Sequence, residues 1–285
     1  MAQVETNGIT TYYEEYGSGP PIVAIHGAMA DHQGWAEILQ PLTENYRVLL
    51  YDLRGHGRTE QTVHKPYTVE TYADDLAAFI DAIELDRPAI LGHSLGGMVG
   101  YTFADRHPEK LSALITVGSP TPQSFTKFEW VNRHVLNRVF LLLTGNERVM
   151  KGAEWLYTQL SDDDGKPDED ALQRLQDGHD CETPLPSGDE RRERAGVPMP
   201  LPSERGKIGK GLQEYYESSP SWRFPVIPFL VMYGENEHFV ENHATFLERE
   251  LEHCQSREIP DATHNAQADN PEFIRAQIRE FLSSG

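Results

Sequence analysis

The chain has 285 residues, 38% of them hydrophobic, and its 45 Asp and Glu against 25 Lys and Arg give a formal net charge of −20. Because nucleic acids and anionic membrane surfaces are themselves negatively charged, this balance excludes both as expected partners. The length suits one α/β domain that carries an insertion.

The sequence also carries signals about the cellular compartment. No apolar stretch is long enough for a membrane-spanning helix, and residues 1–5 lack the basic and apolar regions of a signal peptide, which predicts a cytoplasmic protein. Cys181 and Cys254 lack the paired spacing of a metal site, so no metal is expected and a reducing compartment fits. Seven lysines against eighteen arginines leave two interpretations of the acidic surface open, adaptation to high salt or an ordinary acidic protein.

The first part of the chain alternates between predicted strands and helices. Residues 4–6 and 9–16 predict a hairpin joined by Asn7-Gly8, the pair that a type I′ turn prefers. Apolar runs predict buried strands at 21–26, 46–51, 88–91 and 111–117. The sequence predicts helices at 35–42, 68–83 and 95–103, and the second has Thr68 as its N-cap and an apolar face at helical spacing. Such alternation implies right-handed crossovers and a parallel sheet.

The alternation is interrupted between residues 120 and 224. Helical patterns there (128–143, 149–160 and 171–175) are separated by acidic and proline-rich stretches. We expect residues 120–224 to form a helical cap, inserted into a core of residues 1–119 and 225–285. The core pattern resumes with predicted strands at 226–233 and 256–259 and predicted helices at 242–251 and 271–281.

A serine stands between a predicted strand and a predicted helix in Gly92-His93-Ser94-Leu95-Gly96. Glycines two positions to either side let the strand and the helix pass closely while the serine backbone is strained. The turn would lift the Ser94 hydroxyl out of the sheet and place the Leu95 amide at a helix N-terminus, where it can stabilise an oxyanion. The G-x-S-x-G pattern alone is weak, so the surrounding sequence has to decide.

The other strand ends carry the groups that a nucleophilic serine needs, namely a base, an orienting carboxylate and a second oxyanion donor. The amide of Ala28 follows the strand at 21–26 and is the candidate donor. Glu237 follows the strand at 226–233, and His264 follows the last predicted strand. All of them are expected at the carboxyl edge of the sheet, in the chain order serine, acid, histidine.

These motifs together resemble the α/β-hydrolase superfamily over nearly all of the chain outside the predicted cap. The motifs are H-G-A at 26–28, D-L-R-G-H-G-R-T at 52–59, G-H-S-L-G-G at 92–97, Y-G-E-N-E at 233–237 and T-H at 263–264. The resemblance implies an α/β-hydrolase fold, with a mostly parallel central sheet flanked by helices and an inserted helical cap.

The resemblance also implies a catalytic triad of Ser94, Glu237 and His264, an oxyanion hole made by the amides of Ala28 and Leu95, and no cofactor or metal. The family usually has aspartate at the acid position, so a glutamate there leaves Glu235 as an alternative acid. His26 and His93, which lie within two of the motifs, are interpreted as structural rather than catalytic.

The implied function is that of a serine hydrolase which transfers an acyl group from a small-molecule carboxylic ester to water. Alternatives on the same triad are a lactonase of the enol-lactone type, a carbon–carbon bond hydrolase and a cofactor-free perhydrolase. The alternative from another class is a ligand-binding sensor with slow turnover.

Overall fold

One sheet of eight strands organises the part of the chain that the computed structural model describes, which is residues 2–62, 65–123, 200, 202–218 and 226–283. The strands are β1 (Ala2–Thr6), β2 (Ile9–Tyr16), β3 (Pro21–Ile25), β4 (Arg47–Tyr51), β5 (Ala89–His93), β6 (Ala113–Val117), β7 (Phe229–Gly234) and β8 (Cys254–Ile259). The described α-helices are α1 (Gln33–Leu39), α2 (Val69–Ala82), α3 (Leu95–Arg106), α4 (Pro202–Glu217), α5 (His238–Glu250), α6 (Ala266–Asp269) and α7 (Pro271–Ser283). Short 3₁₀ helices follow α1 at Gln40–Glu44 and α3 at Pro108–Lys110.

The strand order in the sheet is β1-β2-β4-β3-β5-β6-β7-β8. The hairpin β1–β2 is antiparallel and β2 pairs antiparallel with β4, whereas every pair from β4 to β8 is parallel. The expected α/β-hydrolase fold with a mostly parallel sheet is therefore confirmed. Because β3 lies between β4 and β5, the strand order reverses there, and ligands bind open α/β sheets at the carboxyl ends of strands beside such a reversal.

Helices cover both faces of the sheet. Along β3, Val23 and Ile25 pack into one apolar cluster with residues of α2, α3 and α5, whereas Ile22 and Ala24 pack into another with residues of α1 and α7. Successive side chains of a strand point to opposite faces, so a strand covered on both sides is apolar throughout. This explains why the buried strands appear in the sequence as continuous apolar runs.

Two local predictions are confirmed. The residues between β1 and β2 have φ of 45° at Asn7 and 79° at Gly8, as a type I′ turn requires. The hydroxyl of Thr68 accepts a hydrogen bond of 3.1 Å from the Thr71 N–H and caps α2.

Helix α4 was not predicted, although it lies within the stretch expected to form the cap. Its two glycines, Gly206 and Gly211, lower helix propensity. Tertiary contact explains one of them, because a Cβ at Gly211 would lie 1.8 Å from the main-chain oxygen of Tyr67. The predicted helices at 128–143, 149–160 and 171–175, and Cys181, lie outside the described residues.

Helix α6 and the two 3₁₀ helices were also not predicted, and the other differences concern element ends. Helix α5 begins at His238, four residues before the predicted start, and β8 begins two residues early, at Cys254. Strand β7 begins at Phe229 rather than at residue 226, directly after Pro228, which has no N–H to give to a neighbouring strand. None of the described helices combines the length and apolar character that crossing a membrane requires.

Candidate active site

The turn from β5 into α3 holds Ser94 in a strained backbone conformation, with φ of 51° and ψ of −114°. A Cβ at Gly92 would lie 2.3 Å from the main chain of Gly96, and a Cβ at Gly96 would lie 2.3 Å from the oxygen of Ile25. Neither position has room for a side chain, because α3 passes directly over β5 and β3. The two glycines therefore allow the close approach that brings the serine to the edge of the sheet.

His264 lies in the loop between β8 and α6, and its Nε2 is 3.0 Å from the Oγ of Ser94. The other ring nitrogen, Nδ1, contacts the carboxylate of Glu237. A carboxylate only accepts hydrogen bonds, so Nδ1 carries the proton and Nε2 is left to accept the hydroxyl of Ser94. The imidazole side chain is 46% exposed, whereas that of Glu237 is 1% exposed. The imidazole therefore contacts the buried Glu237 carboxylate through one nitrogen and the Ser94 hydroxyl through the other.

The turn after β7 determines which glutamate contacts His264. The main-chain N–H of Glu237 donates to the oxygen of Gly234 at 2.8 Å, which turns the Glu237 side chain inward. The exposed Glu235 instead accepts the main-chain N–H of Asp261 at 2.9 Å. The structure therefore brings Glu237, and not Glu235, to His264.

The His264 loop is held by several contacts that the sequence did not indicate. Glu235 and Asn236 donate their main-chain N–H groups to the oxygens of Ile259 and Ala262, both at 2.9 Å. The Thr263 N–H and hydroxyl both donate to the Asp269 carboxylate at 2.7 Å. These contacts fix the loop relative to β7 and α6.

The segment after β3 passes beside the serine, since a Cβ at Gly27 would lie 3.3 Å from the Cβ of Ser94. The carbonyl of Gly27 accepts hydrogen bonds from Nδ1–H of His26 at 2.7 Å and from the Ala30 N–H at 3.2 Å. In a trans peptide the carbonyl and the following N–H point in opposite directions, so the Ala28 N–H points away from both donors.

The second candidate oxyanion donor is the N–H of Leu95, the first residue of α3. An amide at this position has no acceptor within its own helix. The two candidate donors, the amides of Ala28 and Leu95, therefore follow adjacent strands, β3 and β5.

The D-L-R-G-H-G-R-T stretch is structural. The buried carboxylate of Asp52 accepts the main-chain N–H and the Nδ1–H of His32 and the main-chain N–H of Arg58, at 2.7, 2.9 and 2.9 Å. Burial alone would lower the pKa of His32, but the hydrogen bond and charge of Asp52 outweigh it and raise that pKa. Arg54 forms a buried bidentate ion pair with Asp75. Asp52 therefore joins the loop after β4 to the segment that follows β3, and Arg54 joins the same loop to α2.

The chain matches the family model described as alpha/beta hydrolase fold over residues 20–271, and it belongs to that family. It is 34% identical over 119 residues to 2-hydroxy-6-oxo-2,4-heptadienoate hydrolase of Pseudomonas putida, covering 41% of this chain and 43% of that protein. It is 25% identical over 298 residues to Epoxide hydrolase 3 of Xenopus tropicalis, covering 98% of this chain and 76% of that protein. The match therefore spans less than half the length of the Pseudomonas relative.

A thermophilic esterase from Thermogutta terrifontis has a similar solved structure. The TM-score is 0.69 at 24% identity, over 99% of this chain and 98% of that chain. At this identity the likeness shows a common fold. The names of the two relatives differ in the bond that is cleaved, so similarity alone does not assign a bond to this chain.

Proposed function

We propose that this chain is a serine hydrolase that cleaves a small-molecule carboxylic ester through an acyl-enzyme on Ser94. The observation that supports this most is the continuous path from the Ser94 hydroxyl through His264 to the buried Glu237 carboxylate. A nucleophile, a base and an orienting acid joined in this order activate a serine. In this proposal residues 120–224 are the cap that selects the substrate.

The reaction has two halves. The Ser94 oxygen attacks the ester carbonyl carbon while Nε2 of His264 takes its proton, and the amides of Ala28 and Leu95 receive the oxyanion. His264 then returns the proton to the departing alkoxide, which leaves an acyl-enzyme. A water molecule that loses a proton to His264 attacks this ester, and His264 passes that proton to the Ser94 oxygen as the acid is released. The Glu237 carboxylate stabilises the imidazolium in both halves.

The serine itself argues against an epoxide as substrate, although one relative is an epoxide hydrolase. If the Ser94 oxygen opened an epoxide, the product would be a dialkyl ether on the enzyme. An ether has no carbonyl carbon for water to attack, so turnover would stop after one event. An acyl-enzyme keeps its carbonyl and is released by the same base and oxyanion donors that formed it.

A lactone, an activated carbon–carbon bond or perhydrolysis would use the same three side chains. The test is therefore a turnover screen of p-nitrophenyl esters, lactones and diketones of graded length with the wild type and Ser94→Ala. We expect steady ester turnover by the wild type and a loss of about 10³-fold or more in Ser94→Ala. A matched control is Ser112→Ala, since Ser112 is exposed at the opposite end of β6 and should leave turnover unchanged.

Two results would contradict the proposed mechanism, and a third would contradict the proposed substrate. A single stoichiometric burst without further turnover would identify a ligand sensor. Labelling by a fluorophosphonate at a serine other than Ser94 would remove the nucleophile from the proposed site. Faster turnover of lactones or diketones than of any ester would keep the triad and change the substrate class.

A further inference from the structure

A second histidine lies against the main chain of His264. His93 is the last residue of β5, directly before Ser94, and its Nε2 is 2.9 Å from the main-chain oxygen of His264. The centroids of the two imidazole rings are 5.1 Å apart. A carbonyl oxygen only accepts, so Nε2 of His93 carries the proton. The contact therefore requires one tautomer of His93.

The His93 ring is buried against the segment that follows β3. The side chain is buried, and a Cβ at Gly27 would lie 3.0 Å from its Nδ1. The ring is thus enclosed between the segment that carries the Ala28 amide and the loop that carries His264. Burial, reinforced by the nearby His264, lowers the pKa of His93 to about 3. His93 is therefore neutral where enzymes usually work.

The origin of each contact to the His264 loop gives His93 a distinct role. Glu235 and Asn236 follow β7 and Asp269 ends α6, so their hydrogen bonds hold the loop relative to those elements. His93 belongs to β5, the strand that also presents Ser94. Its hydrogen bond links the main chain of the base directly to the strand of the nucleophile.

We propose that His93 is a positioning residue for the base: by donating Nε2–H to the carbonyl of His264, it sets the distance between the His264 imidazole and the Ser94 hydroxyl. This inference rests on the proposed function, in which His264 is the base. A neutral ring suits the role, because a second cation about 5 Å from the imidazolium that forms during proton transfer would oppose that transfer.

The competing explanation is that the ring only fills space, and two substitutions separate the two explanations. His93→Leu keeps an apolar volume and removes the donor, whereas His93→Gln keeps an N–H at a similar reach. His107→Leu is the matched control, because His107 follows the end of α3 remote from Ser94, where its ring pairs with Asp74 at 3.4 Å and packs against Phe103.

With a p-nitrophenyl ester we expect His93→Leu to lower kcat by about 10-fold to 100-fold, the scale of a displacement of up to about 1 Å in a reacting group. KM should change less than about twofold, because the hydrogen bond acts on the base and not on the bound substrate. His93→Gln should recover most of kcat, and His107→Leu should match the wild type. If His93→Leu keeps wild-type kcat, or if His93→Gln is as slow as His93→Leu, the inference is wrong.

A measurement on the wild type keeps the test decisive even if His93→Leu fails to fold. In ¹⁵N-histidine NMR, His93 should be neutral and protonated at Nε2 throughout about pH 5 to 8, the range in which an ordinary histidine changes charge. Protonation at Nδ1 alone, or a titration within that range, would overturn the inference. Failure of the proposed function is seen separately, as turnover that survives in Ser94→Ala.

Discussion

Replacing Glu237 with glutamine separates the two candidate acids. The carboxylate is almost fully buried and contacts Nδ1 of His264. A glutamine that turns its NH₂ toward Nδ1 forces the proton to Nε2, so the imidazole can no longer accept the proton of Ser94. A glutamine that turns its oxygen toward Nδ1 keeps the tautomer but loses the charge that stabilises the imidazolium. Both orientations therefore impair the base.

The size of the loss follows from what each glutamate contacts. We expect Glu237→Gln to lower kcat by about 10³-fold to 10⁴-fold, as when a triad acid becomes an amide, which corresponds to about 4 to 5.5 kcal/mol of barrier. Glu237→Asp should retain more activity, because the charge survives and only reach is lost. Glu235→Gln should cost less than about tenfold, since an amide oxygen can still accept the N–H of Asp261.

The assay is kcat for a p-nitrophenyl ester, with the far-UV circular dichroism melting curve of each variant as the control for folding. The reasoning is refuted if Glu235→Gln is slower than Glu237→Gln while both remain folded. It is also refuted if Glu237→Gln stays within about tenfold of the wild type, because the buried carboxylate would then not support the base.

Three further predictions concern salt, acid and substrate length. Because ions screen repulsion among the carboxylates of a chain at −20, the melting temperature should rise substantially from low to molar KCl if the protein is salt-adapted, and a flat response identifies an ordinary acidic protein. Burial lowers the pKa of His93 from 6.5 to about 3. The neutral, buried ring therefore contributes fully to the free energy of unfolding above about pH 6.5, and this contribution falls as the pH drops toward 3. Between pH 6.5 and pH 5, urea unfolding should show that the wild type loses about 2 kcal/mol more unfolding free energy than His93→Gln. Trp155→Ala in the predicted cap should change relative rates across a graded ester series, and identical relative rates would count against Trp155 lining the pocket.

Much of the fold was predictable because a parallel sheet covered on both faces leaves a strong signal. A short continuous apolar run such as 21–26 is typical of a strand buried on both faces, and this run corresponds to β3. Helix α4 was missed because its tolerance of Gly211 depends on a contact with Tyr67, which is remote in sequence. Propensity cannot report such a contact.

The candidate site was likewise predictable only in part. Motif order places Ser94, Glu237 and His264 after three strands of one sheet edge, and in the structure these strands are β5, β7 and β8. The choice between Glu235 and Glu237 depends on the Gly234–Glu237 turn, which directs one side chain outward and the other inward. The hydrogen bond between His93 and His264 joins residues 171 positions apart, so the sequence around either residue does not predict it.

A glycine at the end of β6 explains how a glutamate fits where the family usually has aspartate. Strand β6 lies between β5, which presents Ser94, and β7, which leads to Glu237, so its end borders the path between nucleophile and acid. Gly118 there has φ of 57°, and a Cβ on it would lie 3.1 Å from both carboxylate oxygens of Glu237 and 3.3 Å from Nδ1 of His264. The longer acid therefore occupies space that a side chain at residue 118 would take. Because the extra methylene is accommodated at β6, the β7 turn and the His264 loop need not move apart, and the 3.0 Å contact with Ser94 is kept.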